Sequence, residues 1–198
     1  MAWLEPICLH GADARLEPLA MGHLDDLIES VNDGELWNLW YTTIPRPEGM
    51  RAEIERRLAL QAAGSMMPFA VVDVLSGKAV GMTTYMHIDA VNRRLEIGST
   101  WMRRSVQRTL LNTQVKLVLL RHAFETLGCI GVEFRTHFLN QQSRRAIERL
   151  GAKLDGVLRQ HQRAADGSLR DTCVYSVIAS EWPGVKSHLN WQLSKPRE

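Results

Sequence analysis

The chain has 198 residues, 45% of them hydrophobic and 23% charged, which suits one good-sized domain with its own core and excludes a disordered or fibrous chain. Lys plus Arg exceed Asp plus Glu by 24 to 22, a net charge of +2 that is too small to point to nucleic acid or an acidic membrane surface as the general partner. The expected setting is cytoplasmic. No apolar run is long enough for a transmembrane helix, and MAWLEPICLH, with Glu5 and no basic flank, is not a signal-peptide pattern. The three cysteines, Cys8, Cys129 and Cys173, are far apart and odd in number, which fits reduced thiols better than a disulfide framework.

Leu16 to Asn32 carries Leu19, Leu24, Leu27, Ile28 and Val31 near helical spacing. An aromatic cluster follows (Trp37, Trp40, Tyr41), then Pro45 and Pro47, and a second helix is expected from about Pro47 to Ala63. After Gly64 the period shortens. MPFAVVDV, AVGMTTYMHID and LEIGSTW, separated by turns at Ser76-Gly77 and Asn92-Arg93-Arg94, read as three antiparallel strands.

Asn112 to Leu127 has a strong amphipathic helix pattern, with Val115, Leu119, His122, Ala123 and Leu127 turned inward. Asn112 is the expected N-cap and Gly128 the stop. A strand then runs from Cys129 to Thr136. Asn140 opens a further helix that Gly151 ends, and Leu154 to Gln162 with Thr172 to Ile178 form a hairpin around Asp166-Gly167. A short last helix is expected after Ser180.

LEIGSTW, the helix and VEFRT make one βαβ unit, whose strands must run parallel. The fold class is therefore α/β of the α+β kind: a central mixed, mostly antiparallel sheet with one parallel pair. Where parallel neighbours diverge a crevice opens, so a site is expected near Thr100 to Thr113. No P-loop exists, because Val72 stands where its first glycine would be; a G-x-S-x-G elbow, an H-E-x-x-H helix and a C-x-x-C pair are also missing. The seven histidines do not cluster, so no metal is expected and His122 reads as a packed residue.

The segments LEIGSTWM, QRTLLNTQVKLVLLRHAFETLG and VEFRTHFLNQQSRRAIERLGA carry a resemblance. In that order they resemble the core of the Gcn5-related N-acetyltransferase superfamily, most of all its RimJ/RimL-like branch, which acetylates ribosomal-protein N-termini. Weaker likeness extends from LEPL at residues 16–19 to the final hairpin. The resemblance implies a single domain, helices on both sheet faces and a parallel pair splayed around acetyl-CoA. It implies acetyl transfer to a primary amine, with a protein N-terminus as the expected acceptor. A small-molecule amine acceptor and a non-catalytic CoA-binding module are the alternatives.

A helix N-terminus offers unpaired N–H groups and partial positive charge to a diphosphate. By the resemblance, that turn comprises Gln107, Arg108, Thr109, Leu110, Leu111, Asn112 and Thr113. Arg108, Leu110 and Asn112 stand where the family usually has glycine or alanine, so Leu110 is expected to keep ordinary dihedrals, with Arg103, Arg104 and Arg108 as compensating cations. Asn140 would touch the pantetheine arm or cap its helix, and Ser143 and Arg144 share its helix face. Ile147 replaces the tyrosine that usually protonates the departing thiolate, which leaves Ser143 as candidate donor. Glu96 is the preferred base and Glu133 the alternative, with pairing to Arg94 or Arg135 as the structural reading of either. The strand backbone at Thr100, Trp101 and Met102 would polarise the acetyl carbonyl. Trp37, Trp40, Tyr85 and His87, near Met66 and Met67, form the candidate acceptor wall, with core packing as the alternative. Trp182 and Trp191 suggest a homodimer contact.

Overall fold

A computed structural model describes residues 3–164 and 166–195. Its backbone is one mixed sheet of eight strands in the order β1-β2-β3-β4-β5-β6-β8-β7. β1 (Leu9–His10) and β2 (Ala14–Pro18) form one edge, followed by β3 (Met66–Asp73), β4 (Ala79–Asp89) and β5 (Arg94–Met102). β6 (Gly131–His137) and the hairpin β7 (Lys153–Arg163) with β8 (Leu169–Ile178) complete it. All neighbours are antiparallel except β5 and β6, which pair in parallel as expected of the βαβ unit.

Strand alternation sends the sheet's apolar residues to two cores. On β3, Phe69 and Val71 face α3 (Leu111–Arg121), while Ala70 and Val72 face α1 (Leu24–Asn32) and α2 (Met50–Ala62). α4 (Gln141–Glu148) and α5 (Trp182–Ser194) lie with α3, since Ile147, Val185 and Leu189 join the same cluster as Val115 and Leu119. Because both faces are covered, β3 and β4 are buried almost throughout.

Several expectations need correction. Residues 16–18 belong to strand β2, not a helix: Ala14 and Leu16 are buried while Arg15, Glu17 and Pro18 are only partly so, a period of two, and the α-helix begins at Leu24. Asn112 is not the N-cap, because α3 starts at Leu111 with Leu110 in the cap position. That helix does not stay α-helical to Leu127; Arg121 is its last α residue, a π turn spans His122–Thr126, and Gly128, at φ 65°, ends it. The last helix is longer than expected, Trp182–Ser194. Trp182 is not an exposed dimer contact: it is buried, stacks on Phe124 and donates to Glu125 at 2.9 Å, whereas Trp191 is exposed.

Candidate active site

The site is set by a fork in the sheet. β5 and β6 pair only from Arg94–Glu96 against Gly131–Glu133; beyond this β5 follows β4 and β6 follows β8. The opening is a cleft of about 1450 Å³. Its walls come from residues 34–44, β5, the turn before α3, the end of β6, α4 and the β7–β8 hairpin.

One lip of the fork is a β-bulge. The β4–β5 register jumps from Met82↔Trp101 to Thr84↔Gly98, leaving Ser99 and Thr100 opposite Thr83, with Ser99 at φ 47°. A bulge takes main-chain groups out of the ladder and turns them elsewhere. Ser99, Thr100, Trp101 and Met102 all line the cleft. Two buried cations hold this lip from opposite faces. From α2, Arg57 donates to Glu53 (2.7 Å) and Thr84 Oγ1 (2.8 Å) and reaches the Ser99 carbonyl at 3.5 Å. From α3, Lys116 Nζ donates to Thr100 Oγ1 at 2.8 Å, and Thr100 is 2.7 Å from Thr83 Oγ1.

The turn before α3 forms a second wall. Gln107 Nε2 donates to the Met102 carbonyl at 2.8 Å, which ties the turn to β5. Leu110 keeps helical dihedrals (φ −72°, ψ −16°), and the left-handed position falls on Arg108 at φ 60°. The cap residue Leu110 has no side-chain acceptor for a hydrogen bond; one residue before it, the Thr109 hydroxyl donates to the Val106 carbonyl at 2.7 Å and accepts from the Leu111 N–H at 3.2 Å. Gln107, Arg108, Thr109 and Asn112 line the cleft, and so does Arg104; Leu110, Leu111 and Thr113 do not, the last two being buried. Arg103 is committed elsewhere, to Asp33 at 2.8 Å and Glu29 at 3.2 Å, and hydrogen bonding to Arg103 and Ser105 holds the Asp33 carboxyl at about 2. The main-chain N–H of Asn112, which does line the cleft, belongs to the first helical turn, where no intrahelical acceptor exists. This donor set, with Arg104 and Arg108 beside it, fits a diphosphate. Thr109→Val should cost about 1 kcal/mol of stability by loss of these hydrogen bonds, with weaker CoA binding; urea unfolding and calorimetry with CoA check both.

On α4, the Asn140 side chain accepts from the Ser143 N–H at 3.0 Å, so its Oδ1 is spent on capping. Asn140, Ser143 and the buried Ile147 all line the cleft. Arg144 does not; it donates to Tyr175 Oη at 2.9 Å and packs over Phe138 at 5.0 Å.

The two carboxylates on the central strands differ. Glu96 lines the cleft with 4% of its surface exposed. His87 Nδ1–H donates to it at 2.7 Å, and Arg135 lies at 3.5 Å. Burial raises its pKa above the usual carboxylate value, and the His87 and Arg135 contacts only partly offset this. Gly98 makes the room: a Cβ there would lie 2.5 Å from Glu96 Oε1 and 2.7 Å from Met86 Sδ. Glu133 lies outside this cleft, paired with Arg94 and Arg135 at 2.9 Å each; burial works against its charge, but the two guanidiniums win and lower its pKa.

The acceptor wall is smaller than expected. Tyr85 is fully buried, donating to the Leu119 carbonyl at 2.7 Å and stacking on His122, so it is core. Met66 and Met67 are buried too, and Trp37 packs against the α1–α2 core. Trp40 is 64% exposed and meets Tyr41 and His137 edge-on. His87 does line the cleft. The residues that complete this end are Tyr41, from the aromatic segment that the sequence singles out, His137 at the end of β6, and His161 and Arg170 of the hairpin, the last three carrying no local sequence signal. Among the described residues, no group of three or more His, Cys, Asp or Glu could hold a metal ion, and no helix is long and apolar enough to cross a membrane.

This fork, bulge and helix N-terminus coincide with a recognised pattern, since residues 14–153 match the acetyltransferase (GNAT) domain. The chain belongs to the GNAT acetyltransferase family. It is thus an acyl-transferring enzyme, and its relatives extend to the ribosomal type. A stretch of 110 residues is 31% identical to a Bacillus subtilis (strain 168) protein provisionally named ribosomal N-acetyltransferase YdaF. That stretch covers 56% of this chain and 59% of YdaF, so this GNAT chain matches about three fifths of that relative's length. The crystal structure of a GCN5-related N-acetyltransferase from Brucella melitensis superposes with a TM-score of 0.87 at 30% identity, over 98% of this chain and 88% of that one. RimJ of Mycobacterium smegmatis, solved with CoA-disulfide, shares the fold at 20% identity and a TM-score of 0.79, over 94% and 95% of the two chains.

Proposed function

We propose that this GNAT enzyme transfers acetyl from acetyl-CoA to a primary amine at the N-terminus of a protein or peptide. One observation carries the reading: the bulged lip, the donor-rich start of α3 and Glu96 all face one long cleft whose only acidic lining residue, among the described residues, is Glu96. At about 1450 Å³ it exceeds the roughly 300–1,000 Å³ usual for one small ligand. A lining with Arg135 and Arg170 against one carboxylate disfavours aminoglycosides and polyamines.

When bound, acetyl-CoA supplies an acetyl group activated as a thioester. The first-turn amides of α3 would hold its diphosphate, with Arg104 and Arg108 alongside, and Asn140 and Ser143 would flank its arm. The main chain at Thr100 to Met102 would polarise the acyl carbonyl. Glu96 takes the proton of the attacking amine, directly or through water, and its His87 partner, with the side chain 57% exposed, offers that proton a way to solvent.

At 100 times its Kd, acetyl-CoA should stabilise the fold by about 2.7 kcal/mol, a Tm rise of roughly 5–10 °C for a chain of this size. A thiol-release screen across N-terminal peptides, aminoglycosides, polyamines and free amino acids then tests the acceptor. Peptides should turn over fastest. Faster turnover of a polyamine or aminoglycoside would reject the peptide end, and an unmoved melting curve would reject the cofactor.

A further inference from the structure

Lys116 is a charged group at the centre of the fold with no counter-charge. Only 6% of its surface is exposed, yet it lines the cleft. It stands four residues after Asn112, one helical turn below the start of α3 and on the same helix face. Its Nζ fills the fork: Thr100 Oγ1 of β5 at 2.8 Å, Thr83 Oγ1 of β4 at 3.5 Å and the Phe134 ring of β6, 5.9 Å to centroid. Among the described residues no carboxylate pairs with it. Hydroxyls and an aromatic face only partly repay the burial of an ammonium. The hydrogen bond to Thr100 holds the lip, but an uncompensated ammonium is a costly donor to bury for that purpose alone.

The reaction also requires a group beside the leaving sulfur. Expulsion of a thiolate needs a proton or a cation there; of the α4 residues lining the cleft, Ile147 offers neither and Ser143 offers only a weakly acidic hydroxyl. α3 and α4 lie on the same face of the sheet, so Lys116 and Ile147 approach the cleft from that side.

We propose that Lys116 is the proton donor to the departing CoA thiolate. This rests on the acetyl-CoA reading above. The acceptor nitrogen forms its bond to the acyl carbon, the carbon–sulfur bond breaks with its electron pair going to sulfur, and Nζ gives sulfur a proton. The amine's own proton leaves through Glu96, and Lys116 recovers a proton from solvent. Burial lowers the lysine pKa to about 7, which suits a donor that must release and regain a proton near neutrality.

The first test needs no ligand. The folded state holds its Lys116 proton less tightly than the unfolded chain does, so stability should rise as pH climbs from about 7 towards 10.5, and K116M should lack that rise. The second follows CoA bound to the protein by ultraviolet thiolate absorbance. A neighbouring ammonium should make the bound thiol ionise roughly tenfold more readily than free CoA. K116M should lose this effect and K116R keep it. In turnover, K116M and K116R should both fall roughly 100-fold in kcat, with acetyl-CoA affinity nearly unchanged. Both should lose the decline of kcat at high pH that a donor imposes. K116Q reads the same property if methionine disturbs the packing.

Wild-type kcat and pH profile in K116M would overturn the proposal. So would loss of the alkaline limb in S143A but not in K116M, or acetylation of Lys116 itself seen by intact mass, since the amine would then be a nucleophile. Failure of wild type to bind CoA at all would instead reject the reading beneath it.

Discussion

Glu96→Gln should lower kcat by roughly 10²–10⁴-fold, the range for removing a positioned general base, while the protein becomes more stable at neutral pH. Both effects come from one burial. The carboxylate sits beside Gly98 with 4% exposure, and burial raises its pKa. A base must be ionised to work, so wild-type kcat/KM should fall on an acid limb displaced above the ordinary value of 4.5, and the glutamine variant should show no such limb. The sign for stability runs the other way. Between 4.5 and the raised folded value, the folded chain binds more protons than the unfolded one, so wild type loses stability as pH rises through that window. Glutamine fills the same space and carries no charge. Arg135 keeps Glu133 at 2.9 Å, so it is not left unpaired. The gap between the two proteins should therefore close towards pH 4.5 and be full above the folded pKa. Denaturant unfolding across pH, beside initial rates, separates the outcomes. A glutamine variant with wild-type rates would move the base to another group.

The βαβ unit was legible because its period switches are punctuated. Alternation in LEIGSTW, a long amphipathic run, Gly128 and then VEFRT leave one arrangement for the parallel pair. Asn140 was legible as a cap for the same local reason. β2 was not: its five residues run straight into a helix, and Leu16, Leu19, Leu24 and Leu27 imitate one helical stripe. Tyr85 was misplaced because β4 is covered on both faces. In TTYMH no polar alternation tells which side a residue takes, and its register with Ile97 turns it to the α3 core, while Met86, opposite Glu96, turns towards the cleft. Arg57 and Lys116 could not be read at all. Each acquires its meaning from one bulge, Arg57 from a carbonyl 42 residues away and Lys116 from a hydroxyl 16 residues away.

Arg57→Ala should remove about 3 kcal/mol of stability, the lower end for breaking a buried ion pair, which is roughly 6–12 °C in Tm for a chain of this length. The lower end applies because Glu53 keeps a second partner, Arg56, at 2.8 Å. Burial works against the Arg57 charge, so the side chain persists only with its acceptors in place: Glu53, Thr84 Oγ1 and the Ser99 carbonyl. Its removal leaves the half-hidden Glu53 with Arg56 alone and frees Ser99, whose left-handed φ of 47° is unfavourable for a residue with a side chain. The bulge should then relax towards a regular ladder, withdrawing main-chain donors from the fork. The expected kinetic result is a fall in kcat with little change in the affinity for acetyl-CoA, whose diphosphate contacts lie on a different element. Adding Glu53→Gln should recover part of the stability, because the half-hidden carboxylate that lost one of its two guanidinium partners goes with it, but none of the rate, because Ser99 stays unheld. Thermal melts of the single and double variants, with rates measured well below all midpoints, decide the matter. Recovery of rate along with stability would show that Arg57 serves the helix and not the bulge.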